Sequence, residues 1–148
     1  MTVLLERGRY RARETVEPED ILKAQALRRR AFGCDDRDAL DTRCTHILVE
    51  NSTSGEVLCC FRMLSMLGSE IEQSYSGQFY DLSNFQNAPF QMVEMGRFCT
   101  DPAHSKDPDL LRLAWGAMTL FVDAHHIEML FGCSSFAGTD PQQYAQSF

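Results

Sequence analysis

The sequence predicts an α/β domain with a mixed, mostly antiparallel sheet flanked by helices. Three observations carry this reading. Stretches alternating apolar and polar residues, as half-buried strands do, are interleaved with stretches whose apolar residues recur every three or four positions, as in helices. Two of the strand-like stretches are separated only by the turn Asn51-Ser52-Thr53-Ser54-Gly55, which makes them an antiparallel hairpin. A long apolar helix then lies between two later strand-like stretches, the crossover that a parallel pair requires. With 148 residues, the chain can bury one sizeable core, and residues 1–148 are expected to form a single domain.

The elements follow in order. Residues 8–15 read as a strand, with Arg9, Arg11 and Arg13 alternating against Tyr10 and Ala12. Glu17-Pro18-Glu19-Asp20 opens a helix, because proline fits its first turn and the acids suit its positive end. Ile21, Leu22, Ala24, Leu27 and Ala31 give that helix an apolar stripe, and Gly33 stops it. Residues 34–43 are an acid-rich loop. The hairpin strands are residues 45–50 and 57–64. Residues 65–89, with Tyr75, Phe79, Tyr80 and Phe85, show no period, and loops of that length are commonly functional or disordered. A strand over residues 91–99 is followed by a helix from Asp107-Pro108-Asp109 to about residue 125. Its apolar residues nearly surround it, as in a buried helix. Residues 128–136 are expected as a strand, and Asp140-Pro141 starts a last helix.

Composition narrows the function. Hydrophobic residues make up 44% and charged residues 24%, which excludes a disordered or collagenous chain. The net charge of −7 is the wrong sign for a nucleic-acid binder. Lys23 and Lys106 are the only lysines, so nearly every cation is an arginine, the residue suited to buried ion pairs and bidentate contacts with anions. A codon preference for arginine explains this equally well. No apolar run is long enough to span a membrane, and charge follows the two leucines at positions 4 and 5 too soon for a secretory signal. A cytoplasmic protein is expected. Its six cysteines are read as reduced thiols, with the adjacent Cys59 and Cys60 on opposite faces of a strand. No metal site is expected, because no Cys-x-x-Cys pair is present.

The strand over residues 91–99 is the most informative. Val93 and Met95 alternate with Glu94, but Arg97 and Phe98 then fall out of phase. A β-bulge at Gly96 resets the count, placing Val93, Met95 and Phe98 in the core and Glu94 with Arg97 on the other face. A bulge also releases backbone N–H groups that can receive an oxyanion. An ordinary strand carrying a surface Glu/Arg pair is the plain alternative.

Five segments carry a resemblance over about residues 8–142. The order Arg28-x-x-x-Phe32, Asp38-x-x-Asp41, Phe61-Arg62-Met63-Leu64 and Glu94-x-Gly96-Arg97-Phe98 resembles the acyl-homoserine-lactone synthases, which have the GCN5-related N-acyltransferase fold. A closer resemblance is to the ornithine N-acyltransferases of bacterial ornithine-lipid synthesis, also called hemolysin-like. It rests on Arg9-Tyr10-x-Ala12-Arg13, Ala24-Gln25-x-Leu27-Arg28, Asp41-x-x-Cys44-x-His46, Glu94-Met95-Gly96-Arg97 and the segment from Phe131-Gly132-Cys133 to Asp140-Pro141. The synthases carry a tryptophan soon after the Arg/Phe pair. Here Trp115 is the only tryptophan, which favours the lipid branch. Both families continue past residue 148, so the C-terminal strands of the fold are expected to be missing.

The resemblance implies transfer of a 3-hydroxyacyl chain from acyl carrier protein to the α-amino group of ornithine, giving lyso-ornithine lipid. It implies no bound cofactor, since the donor is the acyl-phosphopantetheine of the carrier, no nucleic acid, and peripheral membrane contact through the lipid product. The attacking amine must lose a proton, and a carboxylate in a low-dielectric cleft can take it. Glu94 is the candidate, with His46 and Asp41, in or near the entry loop, as the alternatives, and with Gly96 and Phe98 as the bulge that supplies the oxyanion donor. Arg28, Arg62 and Arg97 are candidates to hold the acceptor's carboxylate, Asp38 and Asp41 to hold its ammonium, and Phe32 and His46 to line the site. The alternatives are loop capping for the aspartates and an ion-pair network for the arginines. Coenzyme A users place a Gly-rich loop at a helix N-terminus around the pyrophosphate. Here that turn, residues 103–109, has no glycine and two acids. Docking of an acidic carrier calls for a basic face, expected from Arg9, Arg11 and Arg13 or from Arg28-Arg29-Arg30. The other readings are an acyl-homoserine-lactone synthase using S-adenosylmethionine and a catalytically silent acyl-binding fragment.

Overall fold

The computed structural model describes residues 2–147. A six-stranded sheet runs in sequence order: β1 (Thr2–Arg7), β2 (Tyr10–Thr15), β3 (Thr45–Asn51), β4 (Val57–Met66), β5 (Met92–Thr100) and β6 (Met129–Phe131). Each neighbouring pair is antiparallel except β5 and β6, which are parallel across the crossover helix. The mixed, mostly antiparallel sheet expected from the sequence is therefore present.

Helix α1 (Pro18–Phe32) starts with proline in its first turn and ends at Gly33, whose φ of 72° is the left-handed cap expected there. Its inner face differs from the predicted stripe. Leu22 is exposed, while Asp20 and Arg28 are buried among Ile21, Ala24 and Leu27. Helix α2 (Pro108–Ala124) packs on the other face of the sheet through Leu110, Leu113, Ala114, Ala117 and Phe121. The expectation that α2 is buried all round is corrected, because Trp115 and Leu120 lie open to solvent.

The strands separate two layers. Tyr10, Ala12, Ile47, Val49, Cys59, Phe61 and Val93 face α2, whereas Leu48, Cys60 and Cys99 face α1. Cys59 and Cys60 thus fall on opposite faces, as the pleat requires. The segment between β4 and β5 is ordered by three 3-10 turns, Gly68–Gln73, Ser76–Gln78 and Ser83–Phe85, packed around Ile71, Leu64, Met66 and Met92.

Other boundaries shift. The strand expected over residues 8–15 begins at Tyr10, because Gly8, with φ of 60°, turns the chain back onto β1, which alternation did not reveal. The strand expected over residues 128–136 is confined to Met129–Phe131, and Pro141–Ser147 is a 3-10 helix. Among the described residues, no helix is long and apolar enough to cross a membrane.

Candidate active site

The bulge in β5 is present. Cys60 of β4 pairs with Cys99 and Arg62 with Gly96, so Phe61 alone stands opposite both Arg97 and Phe98. The extra residue restores the phase: Val93 is buried in the α2-facing core, with Met95 and Phe98 packed against it. The residue in the left-handed region is Arg97, with φ of 57°, and not Gly96 as the sequence suggested. A Cβ at Gly96 would meet only the Arg62 side chain, at 3.7 Å, an ordinary contact. Arg97 is held in its costly conformation by its own side chain, which reaches Asp36 at 3.4 Å and Asp38 at 3.1 Å and lies over the Tyr75 ring.

The bulged stretch Glu94–Phe98 lines a cleft of about 730 Å3, together with Phe32 from α1, Arg62 and Leu64 from β4, Tyr75, and Trp115 from α2. One wall is aromatic: Phe98 stacks between Phe61, at 5.6 Å, and Trp115, at 6.0 Å between ring centres. Asp36, Arg62, Glu94 and Arg97 line the same cavity, so it offers an apolar run beside fixed charges.

Glu94 is buried. Its two carboxylate oxygens accept the backbone N–H groups of Tyr75 at 2.8 Å and Ser76 at 2.7 Å. The donating turn is itself braced, for the Ser74 hydroxyl donates to the Ile71 carbonyl and accepts from the Gly77 N–H. Gly77 is required there, because a Cβ would stand 2.7 Å from the Ile71 carbonyl oxygen. Each Glu94 oxygen retains a lone pair beyond its backbone bond.

In and behind the cleft wall, three arginines and three aspartates compensate one another. Arg28 reaches Asp36 at 2.8 Å and Asp41 at 2.7 Å, and Arg62 reaches Asp38 at 2.6 Å and Asp41 at 2.7 Å. Burial opposes ionisation of Asp41, but hydrogen bonds from Arg28, Gln25 and Arg62 outweigh it and hold the carboxyl well below the usual range. Asp38 is lowered by the same balance, burial against Arg62 and Arg97. Burial pushes the Cys44 thiol up to about 11 and the His46 imidazole down. The His46 Nε2–H donates to the Asp41 carbonyl at 2.8 Å, which fixes the tautomer, since a carbonyl only accepts.

Of the predicted site residues, Glu94, Gly96, Phe98, Phe32, Arg62 and Arg97 line the cleft. Asp38 does not: it borders a separate shallow recess with Asp35 and Arg37 and pairs with Arg62 and Arg97. Arg28, Asp41 and His46 do not either. All three are buried at 1–2% exposure, and their polar groups are taken up internally, so direct contact with a substrate is replaced by support of Arg62 and Asp38. The ion-pair network that stood as the alternative for the arginines describes Arg28. Asp36, Tyr75, Ser76 and Trp115 were not singled out by the sequence. Asp36 is one of a pair of adjacent acids with nothing local to distinguish them, and the turn at Tyr75 lies in an aperiodic stretch.

The arginines expected to form a basic docking face are each paired with an acid. Arg9 pairs with Asp107, Arg11 and Arg13 with Glu50, Arg13 also with Asp20, Arg29 with Asp35 and Arg30 with Asp101. Alternation placed these arginines in order along the chain, but acids both nearby (Asp20, Asp35) and distant in sequence (Glu50, Asp101, Asp107) pair with them. At the start of α2, Asp107 accepts the N–H groups of Asp109 and Leu110 and also bonds Arg9 and Tyr10. Its carboxyl is thereby lowered to about 2, chiefly by the Tyr10 hydroxyl.

Comparison with known proteins fits this geometry. The chain is 35% identical over 109 residues to the L-ornithine N(alpha)-acyltransferase of Rhodobacter capsulatus, covering 70% of this chain and 42% of that protein. It is 28% identical over 136 residues to the enzyme of the same name from Agrobacterium fabrum, covering 84% and 43%. The chain therefore spans less than half the length of these curated relatives. In fold it resembles FeeM, an N-acyl amino acid synthase from uncultured soil microbes, with a TM-score of 0.60 at 16% identity over 82% of this chain and 69% of that one. It also resembles an aminoglycoside acetyltransferase from a soil metagenome, with a TM-score of 0.61 at 8% identity over 94% and 86%. The family model described as an acetyltransferase (GNAT) domain matches residues 22–115, well over half of the chain, and the protein belongs to that family.

Proposed function

We propose that this protein is an amino acid N-acyltransferase that moves a (3-hydroxy)acyl chain from acyl carrier protein to the α-amino group of L-ornithine, giving lyso-ornithine lipid. The observation that carries the reading is one cleft lined by the bulge and Glu94 together with aromatic and charged side chains. The aromatic side chains suit an acyl chain and the charged ones an amino acid. The relatives named L-ornithine N(alpha)-acyltransferase support the choice of acceptor.

The amine nitrogen attacks the thioester carbon, Glu94 takes the proton the nitrogen sheds, directly or through one water, and the carbon–sulfur bond breaks. The proton then passes to the departing pantetheine thiolate. Charge that develops on the thioester oxygen is met by a backbone N–H freed at the bulge, at Phe98 or its neighbour. Arg97, the arginine of the cleft with a partly open guanidinium, receives the acceptor's carboxylate, and Asp38, bonded to Arg97 at 3.1 Å, holds that guanidinium in place. The carrier-protein donor is favoured by Asp107, whose carboxylate already occupies the N-terminus of α2, where a coenzyme A pyrophosphate would need those N–H groups. The reaction belongs in the cytoplasm, where the carrier protein is charged.

The test is mass spectrometry of products from the purified chain, 3-hydroxyacyl carrier protein and ornithine. Lyso-ornithine lipid is the expected product. An acyl-homoserine lactone formed only with S-adenosylmethionine would move the protein to the signalling branch. Retained acyl-carrier binding with no product from any amine would mark a silent acyl-binding fragment.

A further inference from the structure

The segment joining β4 to β5 leaves four large apolar side chains in solvent: Leu67, Phe79, Tyr80 and Phe85, at 50, 64, 64 and 39% exposure. The segment is not loosely held. Ile71 and Ser74 beneath it are fully buried, Leu82, Ala88 and Phe90 pack against the same cluster, and Gly68 lies against the Phe85 and Gln86 carbonyls so closely that no side chain would fit. A scaffold this firm presents its aromatics outward at a cost that contact with a partner removes. The patch is also continuous with the cleft, since Tyr75 lines it and its ring meets that of Phe79 at 5.2 Å.

Charge selects the partner. Between Arg62 and Arg97 there is no lysine or arginine, while Glu70, Glu72 and Asp81 are exposed acids. Of the guanidiniums from other elements, Arg43 bonds Gln73, and Arg97, over Tyr75, is already paired with Asp36 and Asp38, so the acids prevail. An acidic protein or an anionic surface is repelled there, and a second copy would set acids against acids. We infer that these aromatics form a lip that seats the protein on an electrically neutral lipid interface and hands the acyl product from the cleft into it. The lip rests on the reading that the product carries an acyl chain. Phenylalanine and tyrosine are suited to such an interface, each presenting an apolar body and tyrosine also a polar tip.

The experiment is flotation of the chain with phosphatidylcholine vesicles and with phosphatidylglycerol vesicles, for the native protein and for Phe79→Ser/Tyr80→Ser. The native protein should float with phosphatidylcholine, insensitive to salt, and the double variant should lose about tenfold or more of that partition. Phe85→Ser alone should give a smaller loss, and both variants should keep native circular dichroism. Lyso-lipid formation from soluble carrier and ornithine without vesicles should be unchanged in the variants. This separates the two: absence of product with flotation intact defeats the acyltransferase reading and with it the hand-over of product, while the seat on lipid stands. The lip is overturned if the native protein does not float, if it prefers phosphatidylglycerol and dissociates with salt, or if the variants float as well as the native protein. Conversion of a native dimer to a monomer by the double substitution would equally overturn it.

Discussion

The Arg97 guanidinium stands over the ring of Tyr75, 5.0 Å from its centre, and this contact helps keep a non-glycine residue in the left-handed region at the middle of a strand. Replacing Arg97 by glycine removes the backbone cost, about 1–2 kcal/mol, while deleting the stacking and both ion pairs. The two effects roughly cancel in stability, so the melting temperature of Arg97→Gly should change little while acyl transfer to ornithine falls at least tenfold. Gly96→Ala should be nearly silent in both measurements, because the left-handed residue is its neighbour.

For Glu94→Gln, turnover should fall by about 10²–10⁴ at unchanged carrier affinity, the usual cost of losing a general base. An amide can accept only one of the two backbone bonds that the carboxylate accepts, so the Ser74–Gly77 turn also loosens. Gly77→Ala separates the effects by disturbing the turn from the Ile71 side while keeping the carboxylate. If amide exchange at residues 75 and 76 rises equally in both variants and only Glu94→Gln loses most turnover, Glu94 is the base.

Arg28 tests the buried network. Arg28→Met leaves Asp41 with Arg62 and Gln25 alone and strips Asp36 of its strongest partner. Removing one member of a buried ion pair costs about 3–5 kcal/mol, which urea denaturation should register as a lowered midpoint with little change in slope. A loss below about 1 kcal/mol would show that the network is open to water.

Stability should fall in two stages as pH drops. The folded state holds His46 below its ordinary value, so the unfolded chain binds a proton first, and stability declines once pH falls below about 6.5. Asp41 and Asp38 are also depressed when folded. Their contribution is fully present above about 4, the unfolded carboxylate value, and is lost as pH falls from there through the folded values. Chemical denaturation across pH should show both stages, and His46→Gln should lose only the first.

Local pattern alone determined the helix that Pro18 opens and Gly33 closes, the hairpin around Asn51–Gly55, the helix capped by Asp107, and the β5 bulge, which the phase slip between Met95 and Phe98 demanded. Each is a rule about neighbours in sequence, and the sequence contains all the terms. Tertiary structure decided what depends on residues far apart. It chose Asp36 over Asp35 as the partner of Arg28, and it put the left-handed backbone on Arg97, because Asp36, Asp38 and Tyr75 converge on that side chain from other elements. It also turned the arginines of β2 and α1 into paired charges, since Glu50 and Asp101 reach Arg11, Arg13 and Arg30 only after the sheet has formed. Charge compensation acts through space, and the folded sheet sets those distances.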